Sequence, residues 1–137
     1  MELIFPVYWF DTTSSDLEDL TEDESRVGES GHGKKLCCHL CRHIVTDKNQ
    51  RFAFQGGHMH TRTNPSGYIY DFGCFQNAPG CRLLGPPTDE HTWFPGYTWQ
   101  IAVCGNCGEH LGWSFRGSNN FYGLIIDRLI PWDENQI

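Results

Sequence analysis

Four cysteines in two Cys-x-x-Cys pairs constrain this chain more than any other feature of its sequence. The first pair is Cys38 and Cys41, and the second is Cys104 and Cys107. Two intervening residues let the chain turn tightly enough for both thiolates to reach one tetrahedral ion, at about 2.3 Å from each sulfur. Because four thiolates leave no open coordination position, the pattern predicts one structural zinc ion (Zn2+) that joins two distant parts of the fold.

Two unrelated redox motifs are the alternative interpretation of the same pattern. Neither pair lies in the βαβ context that would support thioredoxin-like chemistry. Cys37 adjoins the first pair and could exchange with Cys38 as a ligand, although the register of the pair favours Cys38. The remaining cysteines, Cys74 and Cys81, are expected to be small buried residues rather than a functional dithiol.

The length and the charge distribution indicate one domain preceded by an acidic segment. The chain has 137 residues, which favours a single domain, and a formal net charge of -7 at pH 7. Residues 11–29 carry eight acidic side chains against one arginine, Arg26. Residues 1–35 are therefore expected to form an acidic, disordered segment, with the folded domain over 36–132 and a short tail over 133–137.

Charge and hydropathy also exclude several classes of function. The residues after the acidic segment are nearly neutral, so they lack the basic footprint of a nucleic-acid-binding protein. No apolar run approaches the roughly 20 residues of a membrane helix, and the N-terminus lacks the positive region of a secretory signal. We therefore expect a cytoplasmic monomer that binds neither nucleic acid nor membrane, in which the seven cysteines favour metal binding over disulfides.

The sequence after the acidic segment indicates a mainly β fold with antiparallel sheets. Short apolar segments alternate with turn sequences, and no window has a convincing helical period. The predicted strands are 51–54, 68–72, 99–104, 111–116 and 121–126, and the predicted turns are 64–67, 85–87 and 95–96. A short helix within 124–129 could close the fold.

An aromatic cluster accompanies the second cysteine pair. A Pro-Gly turn separates Trp93 from Trp99, so their indoles can face each other across a tight connection. Trp113 and Phe115 lie two residues apart on a predicted strand, which places them on one face. These rings could form the core of a small β domain or an aromatic cage for a cation or a flat ring. The residues alone leave both interpretations open.

Several motifs closely resemble the CULT domain family, the thalidomide-binding domain of cereblon. They occur in the family's order across roughly residues 36–130, at 36–41, 64–68, 90–99, 104–107, 110–115 and 121–124. The resemblance implies a β-tent fold, in which a four-cysteine zinc site pins two antiparallel sheets at one end. It also implies that Trp93, Trp99 and Trp113 form a three-walled cage with Phe115 at its floor.

The same resemblance implies a binding module, not an enzyme, that recognises cyclic imides. Its ligands would be glutarimide (thalidomide-type) or succinimide rings, peptides whose C-terminal Asn or Gln has cyclised, or uracil-type nucleosides. The imide N–H would donate to the His91 carbonyl, while the imide carbonyls would accept from the Trp93 backbone N–H and the His91 side chain. The implied ligand-binding residues are Asn64, Pro65, Glu90, His91, Trp93, Trp99, Trp113 and Phe115.

Three further expectations complete the sequence-based hypothesis. Ser66 departs from the vertebrate pattern, which has histidine there, and His110 is expected to be structural or exposed. The residues before Leu36 have no room for a Lon-like domain or a helical docking segment, so a stand-alone domain without direct binding to a ubiquitin-ligase adaptor is expected. The alternatives are a methionine sulfoxide reductase-like enzyme using Cys74 or Cys81, which lack that family's Arg-x-Cys-x-Asn setting, and an interaction domain with a solid aromatic core.

Overall fold

Nine short β-strands account for most of residues 34–132, which are the residues described by a computed structural model. The strands are β1 (Lys35–Cys38), β2 (Ile44–Asp47), β3 (Met59–Thr63), β4 (Ile69–Phe75), β5 (Cys81–Thr88), β6 (Thr98–Cys104), β7 (His110–Arg116), β8 (Asn120–Ile125) and β9 (Leu129–Pro131). Short 3-10 helices cover Lys48–Gln50 and Ile126–Arg128. The predicted acidic segment, apart from its last two residues, and the predicted tail lie outside the described residues.

The strands pair antiparallel in two sheets. The smaller sheet has the order β2-β1-β9, and the larger has the order β3-β4-β8-β7-β6-β5. The prediction of a mainly β fold with two antiparallel sheets is therefore confirmed. β3 and β5 are the edge strands of the larger sheet, and the loop between β5 and β6 crosses back toward β3.

Two clusters of buried side chains form the core. The first, which we call the aromatic core, contains Phe72, Phe94, Trp113, Phe115 and Phe121 among its buried members. The second lies beside the cysteine pairs and includes the buried residues Cys38, Val45, Phe75, Cys104, Leu111 and Leu124. Residues alternate along β7, so its inward-facing rings join the aromatic core and anchor the strand that carries them.

Four of the predicted strands, over 68–72, 99–104, 111–116 and 121–126, correspond to β4, β6, β7 and β8. The predicted turn at 85–87 is wrong, because these residues lie inside β5. Proline cannot donate to a strand ladder, but an edge strand tolerates it on the side that faces away from its neighbour. The ladder between β5 and β6 shifts register between Leu84 and Thr88, where the two prolines interrupt it.

The predicted strand over 51–54 is also wrong, and its residues make only isolated bridges. The carbonyl of Phe54 instead accepts a hydrogen bond from Nε2 of His60 at 3.0 Å. The same nitrogen lies 3.1 Å from the carbonyl of Gly57. The buried imidazole therefore adds a hydrogen bond to a turn in which Phe54 and Gly57 already pair through their backbone N–H and carbonyl groups.

The sequence analysis did not predict strand β3, because the inward-facing side chains of this strand are polar. His60 and Arg62 lie two residues apart on one face and are both buried, as is His58 just before the strand. The guanidinium carbon of Arg62 lies 5.0 Å from the ring centre of Phe94, a cation–π contact that compensates part of its desolvation. A hydrophobic pattern cannot reveal a strand of this composition.

The two buried histidines make the stability of the fold pH-dependent. Burial lowers the pKa of His58 to about 4. Burial and, secondarily, the charge of Arg62 lower the pKa of His60 to about 4. An unfolded histidine titrates near pH 6.5, so between these values the unfolded chain binds protons that the folded chain excludes. Stability is therefore fully present above about pH 6.5 and is lost as the pH falls toward about 4.

Lowering the pH from 7 to 5 is expected to reduce the free energy of unfolding by about 2 kcal/mol for each histidine. Urea denaturation at the two pH values measures this loss. His60→Gln is the matched variant, because a glutamine amide can still donate to the neighbouring carbonyls but does not titrate. We expect the variant to lose about 2 kcal/mol less than the wild type over this interval. An equal loss of unfolding free energy in the wild type and in His60→Gln would contradict the lowered pKa of His60.

Candidate functional site

The two cysteine pairs come together at the junction of the two sheets. Cys38 is the last residue of β1 in the smaller sheet, and Cys104 is the last residue of β6 in the larger sheet. The four sulfurs all lie within 4.8 Å of one another. The Sγ atoms of Cys38 and Cys107 are 3.7 Å apart, and those of Cys41 and Cys104 are 3.6 Å apart.

These distances suit a tetrahedral metal site. Four sulfurs placed about 2.3 Å from a central ion are separated by about 3.8 Å, close to both measured pairs. The backbone N–H of Leu40 donates to Sγ of Cys38 at 3.4 Å, and that of Asn106 donates to Sγ of Cys104 at 3.3 Å. Such donors favour the thiolate form, which is the form that binds metal. The cluster can therefore hold a metal ion such as zinc.

Both knuckles use the same backbone geometry. The N–H of Arg42 donates to the carbonyl of Cys38 at 2.9 Å, and the N–H of Gly108 donates to that of Cys104 at 3.0 Å. Arg42 (φ 68) and Gly108 (φ 83) both adopt the left-handed conformation that closes such a turn. Cys37, the alternative ligand, is buried and does not belong to the four-sulfur group.

A cavity of about 370 Å³ opens beside the aromatic core. Its volume lies toward the lower end of the roughly 300–1,000 Å³ typical of small-molecule sites. All eight ligand-binding residues predicted from the sequence line it, and so do Tyr70, Ile101 and His110. The structure thus brings the predicted residues together around one space, and their role in binding a ligand stays a prediction.

Two of the three indoles are in contact, and the third, Trp99, is separate from them. The ring centres of Trp93 and Trp113 are 4.9 Å apart and their planes are 77° to each other, an edge-on contact. Trp99 makes no ring contact with another aromatic residue among 34–132. Its Nε1 donates to the carbonyl of Glu90 at 2.9 Å, which fixes the orientation of the indole. The gap that remains between Trp99 and the other two indoles is the cavity.

The loop that carries Trp93 is anchored on both sides. Nε1 of Trp93 donates to the carbonyl of Thr63 at the end of β3, at 3.0 Å. Pro95 and Gly96 form a turn closed by the N–H of Tyr97, which donates to the carbonyl of Phe94 at 2.9 Å, and Gly96 has the positive φ of 91° that such a turn requires. These contacts preform the wall of the cavity.

The aromatic core supports the same wall from behind. Phe72 stacks on Trp93 with ring centres 5.6 Å apart and planes within 15°, and His60 stacks on Phe72 at 5.9 Å. Phe115 lines the base of the cavity and is 1% exposed, so it cannot move aside without opening the core. A cavity built this way keeps its shape without a ligand.

Polar backbone groups lie where the loop turns between Glu90 and Trp93. His91 is exposed and has a left-handed φ of 57°. Neither its carbonyl nor the N–H of Trp93 forms a backbone–backbone hydrogen bond within residues 34–132. At the mouth, Oδ1 of Asn64 accepts from the N–H groups of Ser66 and Tyr68 at 3.0 and 2.9 Å, which shapes the loop over the cavity.

Sequence reasoning missed three lining residues, Tyr70, Ile101 and His110. Ile101 lies two residues after Trp99 on β6, so strand alternation could have placed it on the cavity face. Tyr70 lies two residues before Phe72 on β4, so strand alternation could have placed it on the cavity face. His110 lies three residues from Trp113, a separation that puts side chains on opposite faces of a regular strand. A register shift between β6 and β7 changes this, and the ring of His110 lies edge-on to Trp113 at 5.1 Å. Gly112, a glycine inside the strand next to this irregularity, is the signal that could have indicated it.

Curated proteins similar to this chain include cereblon from several animals. Cereblon of Gallus gallus is 39% identical over 104 residues, which make up 70% of this chain and 23% of that protein. Cereblon of Danio rerio is 36% identical over 104 residues, 70% of this chain and 24% of that protein. Cereblon of Drosophila simulans is 32% identical over 98 residues, which make up 64% of this chain and 16% of that protein. The chain carries a cereblon-like domain. No protein-family model matches it.

This cereblon-like chain spans less than a quarter of the length of those vertebrate relatives. The four-cysteine cluster and the aromatic cavity of the cereblon-like domain occur together in one small β fold, and these features fit a metal-containing binding module. Within residues 34–132, no helix is long and apolar enough to cross a membrane.

Proposed function

We propose that the cereblon-like domain is a zinc-stapled module that binds cyclic imides and catalyses no reaction. The observation that carries this proposal is the cavity between Trp93, Trp99 and Trp113, whose walls are fixed by hydrogen bonds and by the aromatic core. A flat ring fits between rigid indoles better than a flexible chain does, because neither partner loses much conformational freedom.

The hydrogen-bonding pattern of an imide matches the groups at the loop. An imide edge has one N–H between two carbonyls. The N–H would donate to the carbonyl of His91, and the two carbonyls would accept from the N–H of Trp93 and from the His91 side chain. The first two of these groups take no backbone–backbone hydrogen bond within residues 34–132, which supports their availability.

The indole walls would contribute more to affinity than the hydrogen bonds. Each hydrogen bond contributes roughly 0.5–1.5 kcal/mol net, whereas apolar area removed from water contributes about 25 cal/mol per Å². The hydrogen bonds would instead set specificity. A ligand without the central N–H would leave a buried carbonyl unpaired, at a cost of roughly 1–3 kcal/mol.

The natural ligands that satisfy this chemistry fall into two classes. A peptide whose C-terminal Asn or Gln has cyclised ends in a succinimide or glutarimide ring, and a uracil-type nucleoside carries the same N–H between two carbonyls. In either case the remainder of the ligand would leave through the mouth beside Asn64 and Pro65. The zinc ion, bound by Cys38, Cys41, Cys104 and Cys107, would stabilise the fold without taking part in binding.

The reductase-like alternative is not favoured. A methionine sulfoxide reductase needs a thiol that ionises near neutral pH. Burial strongly raises the pKa of Cys74, and burial raises the pKa of Cys81 to about 12. Both thiols therefore stay protonated near neutral pH. Cys74 is buried, as predicted, whereas Cys81 is only partly buried.

Glutarimide is expected to bind the zinc-loaded protein saturably at one site, with a change in tryptophan fluorescence. N-Methylglutarimide keeps the ring and its carbonyls but has no N–H, so we expect it to bind at least about tenfold more weakly. Isothermal titration calorimetry with the two compounds measures the difference. The absence of glutarimide binding, or equal affinity for both compounds, would rule out the proposal.

A further inference from the structure

Part of the cavity has no role in holding an imide edge. A single five- or six-membered ring is much smaller than the drug-sized ligands that cavities of about 370 Å³ accommodate. Tyr70 and His110 also line the cavity, and neither of these two polar side chains contacts the imide ring in the proposed binding mode. The cavity therefore has both room and chemistry for a substituent on the ring.

The hydrogen bonding of His110 defines its chemistry. Nε2 lies 3.0 Å from the carbonyl oxygen of Gly112. A carbonyl oxygen can only accept, so Nε2 carries the hydrogen and Nδ1 is left as an acceptor. Burial lowers the pKa of His110, so the ring is neutral at pH 7 and Nδ1 keeps its lone pair. Nη1 of Arg128 donates to the His110 carbonyl at 2.8 Å and fixes the backbone there.

The position of His110 places this acceptor beside the proposed imide site. Its ring lies edge-on to Trp113, with ring centres 5.1 Å apart and planes at 86°, and 6.3 Å from the ring of Tyr70. Trp113 in turn contacts Trp93, the adjacent wall. A ring held between the indoles would therefore have the imidazole at the border of one wall.

We propose that His110 is a specificity-determining residue whose Nδ1 accepts a hydrogen bond from an N–H group attached to the imide ring. This inference rests on the proposed function. Cyclisation of a C-terminal Asn or Gln leaves the amide nitrogen of that residue on the ring carbon next to an imide carbonyl. Every peptide-derived imide thus carries an N–H at this place, and a uracil-type nucleoside does not. His110 favours 3-acylamino imides, the peptide class of ligand.

Two other polar groups could accept the same hydrogen bond and serve as matched controls. The carboxylate of Glu90 lines the cavity but belongs to an exposed residue, where water competes for its oxygens. The hydroxyl of Tyr70 is half-buried and can also accept. Glu90→Leu, which has no side-chain acceptor, and Tyr70→Phe test these groups separately from His110.

The test compares three compounds: glutarimide, 3-acetamidoglutarimide and 3-acetoxyglutarimide. The last two differ only in an N–H replaced by an oxygen, so their affinity ratio isolates the donor. Binding to the zinc-loaded wild type should favour the amide over the ester by about tenfold. His110→Phe keeps a ring beside Trp113 but has no acceptor. We expect the ratio to fall to about one in this variant. Glutarimide affinity, measured in the same variant, corrects for any change in the cavity wall itself, because the ratio compares two compounds in one protein.

The outcomes separate the two proposals. If glutarimide itself fails to bind, the proposed function fails, and this inference fails with it. If glutarimide binds but the wild type does not distinguish amide from ester, only the role of His110 is overturned. A ratio that survives in His110→Phe, or that is lost in Glu90→Leu or Tyr70→Phe instead, assigns the acceptor elsewhere and also overturns it.

A measurement on the wild type keeps the inference testable if His110→Phe does not fold. In protein labelled with 15N-histidine, the Nδ1 resonance of His110 should move upfield when the amide compound binds, because its lone pair becomes hydrogen-bonded. The ester should leave that resonance at the position seen with glutarimide. Identical Nδ1 shifts with both compounds would contradict the inference.

Discussion

Replacing Cys104 with serine is expected to unfold the domain at room temperature. Structural zinc contributes roughly 10–16 kcal/mol of apparent binding free energy in small zinc domains, whereas a typical domain is stable by only about 5–15 kcal/mol. Cys104 is fully buried and connects the end of β6 to the cysteine pair that begins with the last residue of β1, so its loss removes this link between the two sheets. Near-UV circular dichroism and elemental analysis should show lost tertiary structure and lost metal together.

Cys81→Ala is the matched control for this variant. Cys81 lies directly opposite Cys104 in the ladder between β5 and β6 and is outside the four-sulfur group. We expect it to retain one zinc per chain and a cooperative unfolding transition. If Cys104→Ser stays folded with bound zinc, or if Cys81→Ala loses the metal, the assignment of the ligands is wrong.

Trp99→Ala is expected to weaken glutarimide binding by at least about 30-fold, equivalent to roughly 2 kcal/mol. Trp99 forms one wall of the cavity and makes no ring contact with another aromatic residue within 34–132, so its removal opens the slot without dismantling the aromatic core. The melting temperature should therefore change by only a few degrees. Trp113 would be a poorer choice, because it is 6% exposed and its truncation costs roughly 3–5 kcal/mol of stability.

Trp132→Ala controls for the loss of a tryptophan as such. Trp132 is partly buried and lies outside the cavity. We expect glutarimide affinity in this variant to stay within about twofold of the wild type. Calorimetry on both variants measures the comparison without relying on fluorescence. Equal affinity in Trp99→Ala and Trp132→Ala would place the ligand away from the indole cavity.

The cysteine spacing and the turn around Pro95 and Gly96 made much of this site predictable. A Cys-x-x-Cys pair has few ways to arrange its backbone around an ion, and a Pro-Gly turn largely fixes where Trp93 and Trp99 point. Strand alternation then places Trp113 and Phe115 on one face. Local geometry indicates each of these features separately, whereas their assembly into one cage, rather than a solid core, was implied only by the resemblance to the CULT domain family.

The features of the fold and of the site that the sequence did not predict depend on tertiary contacts. β3 forms because His60 and Arg62 find partners among the aromatic rings and loop carbonyls, and a pattern of apolar residues does not indicate such a strand. The two prolines of β5 are compatible with a strand only because it lies at the sheet edge. His110 lines the cavity because of a register shift beside Gly112; glycine signals that a bulge can form there but not which side chain it redirects into the cavity.

The nuclear Overhauser effects between bound glutarimide and the protein test the central claim most directly. With zinc-loaded protein, the methylene protons of the ring should show contacts to the indole protons of Trp93, Trp99 and Trp113 and should shift upfield, because they lie over aromatic faces. Contacts confined to other residues, or no upfield shift at saturation, would contradict an imide site formed by the three tryptophans.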